Sequence, residues 1–132
     1  MTRPADSSYS EDWRRIARRD WSRIQLALSA DDVALAAFSL QQSVEKYLKA
    51  FLLSHGWKLR RIHELDALLE AACAYRSDLD CFSDLCERVS GYYMAERYPL
   101  ADEPDLLPSE VRADVLKSRE LIVALYPDEI LN

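Results

Sequence analysis

The chain has 132 residues, 49% of them hydrophobic and 30% charged, with a net charge of −6. This composition excludes a disordered chain, and the length suffices for one domain to bury roughly two thirds of its unfolded surface. No apolar run reaches the roughly 18 residues of a membrane span, and MTRPADSSYSEDW lacks the apolar core of a secretion signal, so no membrane contact and a cytoplasmic location are expected.

Two glycines and five prolines leave little material for tight turns, which favours helices over hairpins. Cys73, Cys81 and Cys86 include no C-x-x-C pair. They read as small buried hydrophobes, and neither a metal nor any other cofactor is expected. The acidic total disfavours non-specific binding to a nucleic-acid backbone, but the charge is uneven. Arg14, Arg15, Arg18, Arg19 and Arg23 crowd the first predicted helix, whereas Asp102, Glu103, Asp105 and Glu110 collect later.

Residues 1–10 are polar and expected to form a frayed tail, with one domain over residues 11–132. A first helix is predicted from Glu11 to Leu28, placing Trp13, Ala17, Trp21, Ile24 and Leu28 on one side. Its arginines face away, either as a solvated face paired with nearby carboxylates or as a contact for RNA or a partner. Ser29 is the expected N-cap of a second helix, with Asp32 near its positive end. That helix runs from Val33 towards Gly56, a natural C-cap, with Val33, Ala37, Leu40, Val44, Leu48 and Phe51 on one face. Gln41, Glu45 and Lys49 form a polar line beside them, flanked by Gln42 and Lys46. Glu45 and Lys49 make an i,i+4 pair, worth only a few tenths of a kcal/mol on a surface.

Trp57-Lys-Leu-Arg-Arg61 reads as a short basic connection. A third helix is expected near His63, burying Leu65, Leu68, Leu69 and Ala72, followed by a loop from Tyr75 to Asp80. A fourth spans Cys81 to Arg97, with Phe82, Leu85, Cys86, Val89 and Tyr93 inward and Gly91 as a weak point costing about 1 kcal/mol. Pro99 ends it, and Tyr98 to Pro108 reads as a loop. Ser109 is the expected cap of a fifth helix, with Val111, Val115, Ile122 and Leu125 on one face. The sum is an all-α, up-and-down antiparallel bundle of about five helices.

FSLQQSVEKYLKAFLLSHG, then IHELDALL, then YYMAERYPL resemble the HEPN family (higher eukaryotes and prokaryotes nucleotide-binding). The Q-x-x-E-K-x-L-K-A core matches Gln42 to Ala50, H-[DE]-L matches His63 to Leu65, and R-Y-P matches Arg97 to Pro99. The resemblance covers residues 11–126. It implies an antiparallel bundle, commonly a homodimer, with polar residues of helices two to four bordering a cleft. It further implies a partner, a minimal nucleotidyltransferase with which such chains form a two-component, toxin–antitoxin-like pair.

The ribonuclease branch of that family carries R-x(4–6)-H. The histidines here are His55 and His63, so the arginine would stand at positions 48–50 or 56–58, which hold Leu48, Lys49, Ala50, Gly56, Trp57 and Lys58. The motif is absent. A lysine supplies charge but not the planar fork that grips phosphate with two donors. A divergent metal-independent ribonuclease is therefore the alternative, and no catalytic residue is assigned. The candidate ligand-binding residues are Lys46, Lys49, His63, Arg97 and Tyr98, supported by Gln42 and Glu45. Cations and a stacking ring suit a nucleotide or an RNA phosphate.

Overall fold

The structure, a computed structural model, describes residues 8–93 and 106–131. Helix α1 (Ser10–Ser29) buries Trp13, Ala17, Trp21, Ile24 and Leu28, as their spacing requires. Helix α2 (Val33–Ser54) buries residues on nearly every side, among them Leu40, Val44, Tyr47, Leu48 and Phe51. A helix apolar most of the way round belongs at the centre of a bundle, and α2 stands there. Ser10 Oγ donates to the Ala50 carbonyl at 2.7 Å, and Ser43 Oγ to that of Ala17 at 2.9 Å. The start of α1 thus meets the end of α2, so the two run antiparallel. Helix α3 (Leu65–Cys73) packs on α2 and on α4 (Ser83–Ser90), and α5 (Pro108–Leu125) closes against α2. The architecture is an all-α antiparallel bundle of five helices with no strand among the described residues.

Several boundaries differ from the expectations. Ser29 is the last residue of α1 and caps nothing; Asp32 caps α2 by accepting the Leu35 N–H at 3.1 Å. The link is tighter than supposed because Asp31 turns the chain at φ 58°, a left-handed conformation that aspartate tolerates. Ser109 also fails to cap α5. Pro108 takes the first helical position, where its missing N–H costs nothing and its fixed φ suits the helix. Helix α3 starts two residues after His63, and its Leu65 N–H donates to Ser90 Oγ of α4 at 3.0 Å. The expected loop after Tyr75 closes as a 3-10 turn over Ser77–Phe82. The long fourth helix is interrupted: α4 ends at Ser90, Gly91 forms a turn, and helix resumes at Tyr92 and Tyr93. Its expected end, with Arg97, Tyr98 and Pro99, lies outside the described residues, as does most of the expected tail.

The cysteines separate. Cys86 is buried, and burial pushes its thiol up to about 12; Cys73 is half-buried and also raised by burial. Cys81 is exposed, contrary to expectation, because the 3-10 turn rotates it away from the face that Leu79 buries. No helix among the described residues is long and apolar enough to cross a membrane.

The two glycines carry a direct test. Gly56 sits at φ 87° with open space where a Cβ would go, so Gly56→Ala suffers backbone strain alone. It is expected to destabilise by about 1 kcal/mol in urea unfolding. Gly91 has a helical φ of −64°, and a Cβ would meet the Arg88 carbonyl at 3.3 Å. There the gain in helix propensity and the tight contact oppose one another, so Gly91→Ala is expected to stay within about 0.5 kcal/mol.

Candidate functional site

The polar line of α2 is buried rather than solvated. Glu45 and Lys49 side chains are only 3% and 4% exposed, and Lys49 Nζ donates to Glu45 Oε2 at 2.9 Å. Gln41 Nε2 donates to Glu45 Oε1 and to the His63 carbonyl, both at 3.0 Å. His63 Nδ1 lies 3.2 Å from Glu45 Oε2 and 3.3 Å from Oε1. A carboxylate only accepts, so Nδ1 carries the proton, and in the neutral ring Nε2 keeps its lone pair. Glu45 therefore satisfies three donors and fixes both the position and the tautomer of His63. The His63 ring stacks on Tyr93 at 5.1 Å and 16°, and Phe38 packs on Tyr93 at 6.2 Å.

Around this network opens a cleft of ≈ 430 Å³. Trp13 of α1, the edge of α2 (Gln42, Glu45, Lys46, Lys49) and the connection before α3 (Leu59, Arg60, Arg61, His63) line it. Lys49 Nζ also sits 5.2 Å from the Trp13 ring centre, a cation–π distance. Lys46 Nζ donates to Asp20 Oδ2 of α1 at 2.5 Å, while Arg23 holds Asp20 Oδ1 at 3.1 Å. Both lysines thus have internal carboxylates. Arg60 and Arg61 are exposed and meet no carboxylate among the described residues. A second cleft, between Cys81, Arg88, Lys117 and Glu120, offers less to an anion. Its Arg88 is bound to Asp114 at 2.8 Å, and Lys117 faces Glu120 at 4.0 Å.

A model of the HEPN domain matches residues 10–127. The chain belongs to the HEPN domain family. At family level this supports a nucleotide- or RNA-related role. No curated protein and no solved structure matches the chain.

Within this HEPN domain the cleft gathers Gln42, Glu45, Lys46, Lys49 and His63, five of the seven residues singled out from the sequence. The other two, Arg97 and Tyr98, lie outside the described residues. Lys49 donates to Glu45, and its side chain is nearly inaccessible. Trp13, Arg60 and Arg61 were not singled out. The basic run Lys58 to Arg61 carried the signal, but reading it as a mere connection hid it. Among the described residues, no group of three or more His, Cys, Asp or Glu side chains could hold a metal ion.

The arginines of α1 are only partly a solvated face. Arg14 Nε donates to Glu129 Oε1 at 2.7 Å, Arg18 Nε to Oε2 at 2.6 Å, and Tyr47 Oη to Oε2 at 2.8 Å. Their carboxylate comes from the far end of the chain. Burial works against the charged Glu129, yet the hydrogen bonds from Arg18, Tyr47 and Arg14 outweigh it and hold its carboxyl below the usual range. The same burial, with Glu129 as acceptor, pushes the Tyr47 hydroxyl up.

Proposed function

We propose that this HEPN domain is a binding module that takes the phosphate of a nucleotide or of RNA in the cleft between α1, α2 and the residue 57–64 connection. The observation that carries the reading is the pair Arg60 and Arg61: exposed guanidinium groups lining a cleft, with no carboxylate among the described residues to neutralise them. Guanidinium matches phosphate geometry with two parallel donors, and the Trp13–Leu59 side offers an apolar wall for a ring. Arg97 and Tyr98 are proposed to complete the cleft from the end of the fourth helix.

Calorimetric titration with ATP, GTP and short RNA tests this. Arg60→Ala with Arg61→Ala is expected to weaken binding at least about tenfold, since a hydrogen bond to a charged group is worth about 1.5–3 kcal/mol. Equal affinity in the double variant would remove the cleft from the account. The absent R-x(4–6)-H motif supports binding over catalysis, so total RNA is expected to survive incubation with the protein intact.

The partner reading rests on the sequence motifs. One domain over residues 11–132, with residues 1–10 as a tail, is proposed to act in the cytoplasm as a homodimer paired with a minimal nucleotidyltransferase. An adjacent reading frame with G-S-x(9–12)-D-x-D, whose product co-purifies, is the expected result. Light scattering at the mass of one chain would count against the homodimer.

A further inference from the structure

We infer that the cleft selects a terminal phosphate monoester, as on a mononucleotide or a phosphorylated RNA end, over the internal phosphodiester of a chain. This rests on the binding reading above and names the chemical class it takes. The lining cations are not equivalent. Arg60 and Arg61 are exposed and meet no carboxylate among the described residues, whereas Lys49 is buried between Glu45 and Trp13. Lys46 stands between these cases. Its side chain is 17% exposed and its Nζ rests on Asp20 at 2.5 Å.

Asp20 has a second partner, Arg23, on its other oxygen at 3.1 Å. If Lys46 turned into the cleft, Asp20 would keep a cation and no buried charge would be stranded. Lys46 is therefore the one lining lysine able to exchange its carboxylate for a ligand. The exchange trades one anionic oxygen for another, and is favourable only when the ligand presents an anionic oxygen that Arg60 and Arg61 leave unoccupied. A phosphodiester has two non-bridging oxygens sharing one charge, which the two arginines already meet. A monoester carries about −1.5 to −2 at pH 7 and three strong acceptor oxygens, enough for both arginines and Lys46. Asp20 thus acts as a threshold: it holds Lys46 back from a ligand with two free oxygens and yields it to the third oxygen of a monoester.

The test titrates one short RNA sequence bearing either a 5′-phosphate or a 5′-hydroxyl, with AMP and adenosine alongside, at fixed salt. The phosphorylated RNA is expected to bind about tenfold or more tightly than the hydroxyl form, and AMP to bind where adenosine does not. Lys46→Met is expected to erase most of that preference, weakening the phosphorylated RNA far more than the 5′-hydroxyl RNA. Asp20→Asn, which frees Lys46 and conserves shape, is expected to tighten the phosphorylated RNA. Equal, measurable affinity for the two RNAs, or equal weakening of both by Lys46→Met, would overturn the inference and leave the binding reading standing. Failure of every ligand to bind would remove both. If AMP binds and phosphorylated RNA does not, the monoester belongs to a free nucleotide.

Discussion

Glu129→Ala is expected to destabilise the protein by about 3–5 kcal/mol, lowering the melting temperature by roughly 10 °C or more. The carboxylate side chain is 1% exposed and takes hydrogen bonds from three side chains on two helices. Its removal costs unequally among them. Arg18 is 47% exposed and would be rehydrated, so little is lost there. Arg14 is 11% exposed and the Tyr47 residue 0%, so a cation and a hydroxyl would be left buried with weaker partners or none. Arg14 retains Asp128 at 3.0 Å, but Asp128 is exposed and a poor replacement. Glu129 also ties the segment after α5 to α1 and α2, so its loss should free that segment as well. Glu129→Gln, which keeps one acceptor, should fall between wild type and alanine. A melting-temperature change under 2 °C in Glu129→Ala would show that the network is incidental.

The pH dependence of the same network has a definite sign. The folded carboxyl lies below the ordinary glutamate value of about 4.3, so its contribution is present above that value and fades as pH falls through the folded one. The Tyr47 hydroxyl is raised, so its contribution is full below the ordinary tyrosine value of about 10 and fades as pH rises beyond it. Urea unfolding of wild type against Glu129→Ala should show a gap that is widest near neutral pH and narrows below about pH 4. A gap independent of pH would separate the stability of the segment from the charge on Glu129.

Why the apolar faces were legible and the polar partners were not follows from range. The spacing of Trp13, Ala17, Trp21, Ile24 and Leu28 is a property of one helix, and burial follows from that property alone. The pairing of Arg14 with Glu129 depends on where the chain returns 115 residues later, which no local pattern encodes. Asp31 misled the placement of the α2 cap because a left-handed aspartate looks like any acidic turn residue in sequence. Arg60 and Arg61 were visible as charge, but that they meet no carboxylate among the described residues follows from the fold. Glu45 and Lys49 show the same limit most sharply: four-residue spacing identifies the pair, yet only the packing of α1 and the chain before α3 over α2 turns a surface pair into a buried one.

That burial changes the expected size of the effect by an order of magnitude. A surface i,i+4 pair is worth a few tenths of a kcal/mol, whereas removing one member of a buried pair costs about 3–5 kcal/mol. Glu45→Ala should fall in the upper range, because it strands Lys49 and takes an acceptor from Gln41 and the anchor from His63. Replacing both charges together, as Glu45→Leu with Lys49→Met, avoids the stranded cation and should cost far less than Glu45→Ala alone. The comparison, made by urea unfolding, also assigns a role to Lys49. A folded double variant that still binds phosphorylated RNA would place Lys49 in the scaffold and leave recognition to Arg60, Arg61 and Lys46. A folded double variant that has lost binding would return Lys49 or the Glu45-held His63 to the ligand, and restoring Glu45 and Lys49 while changing His63→Ala would then separate the two.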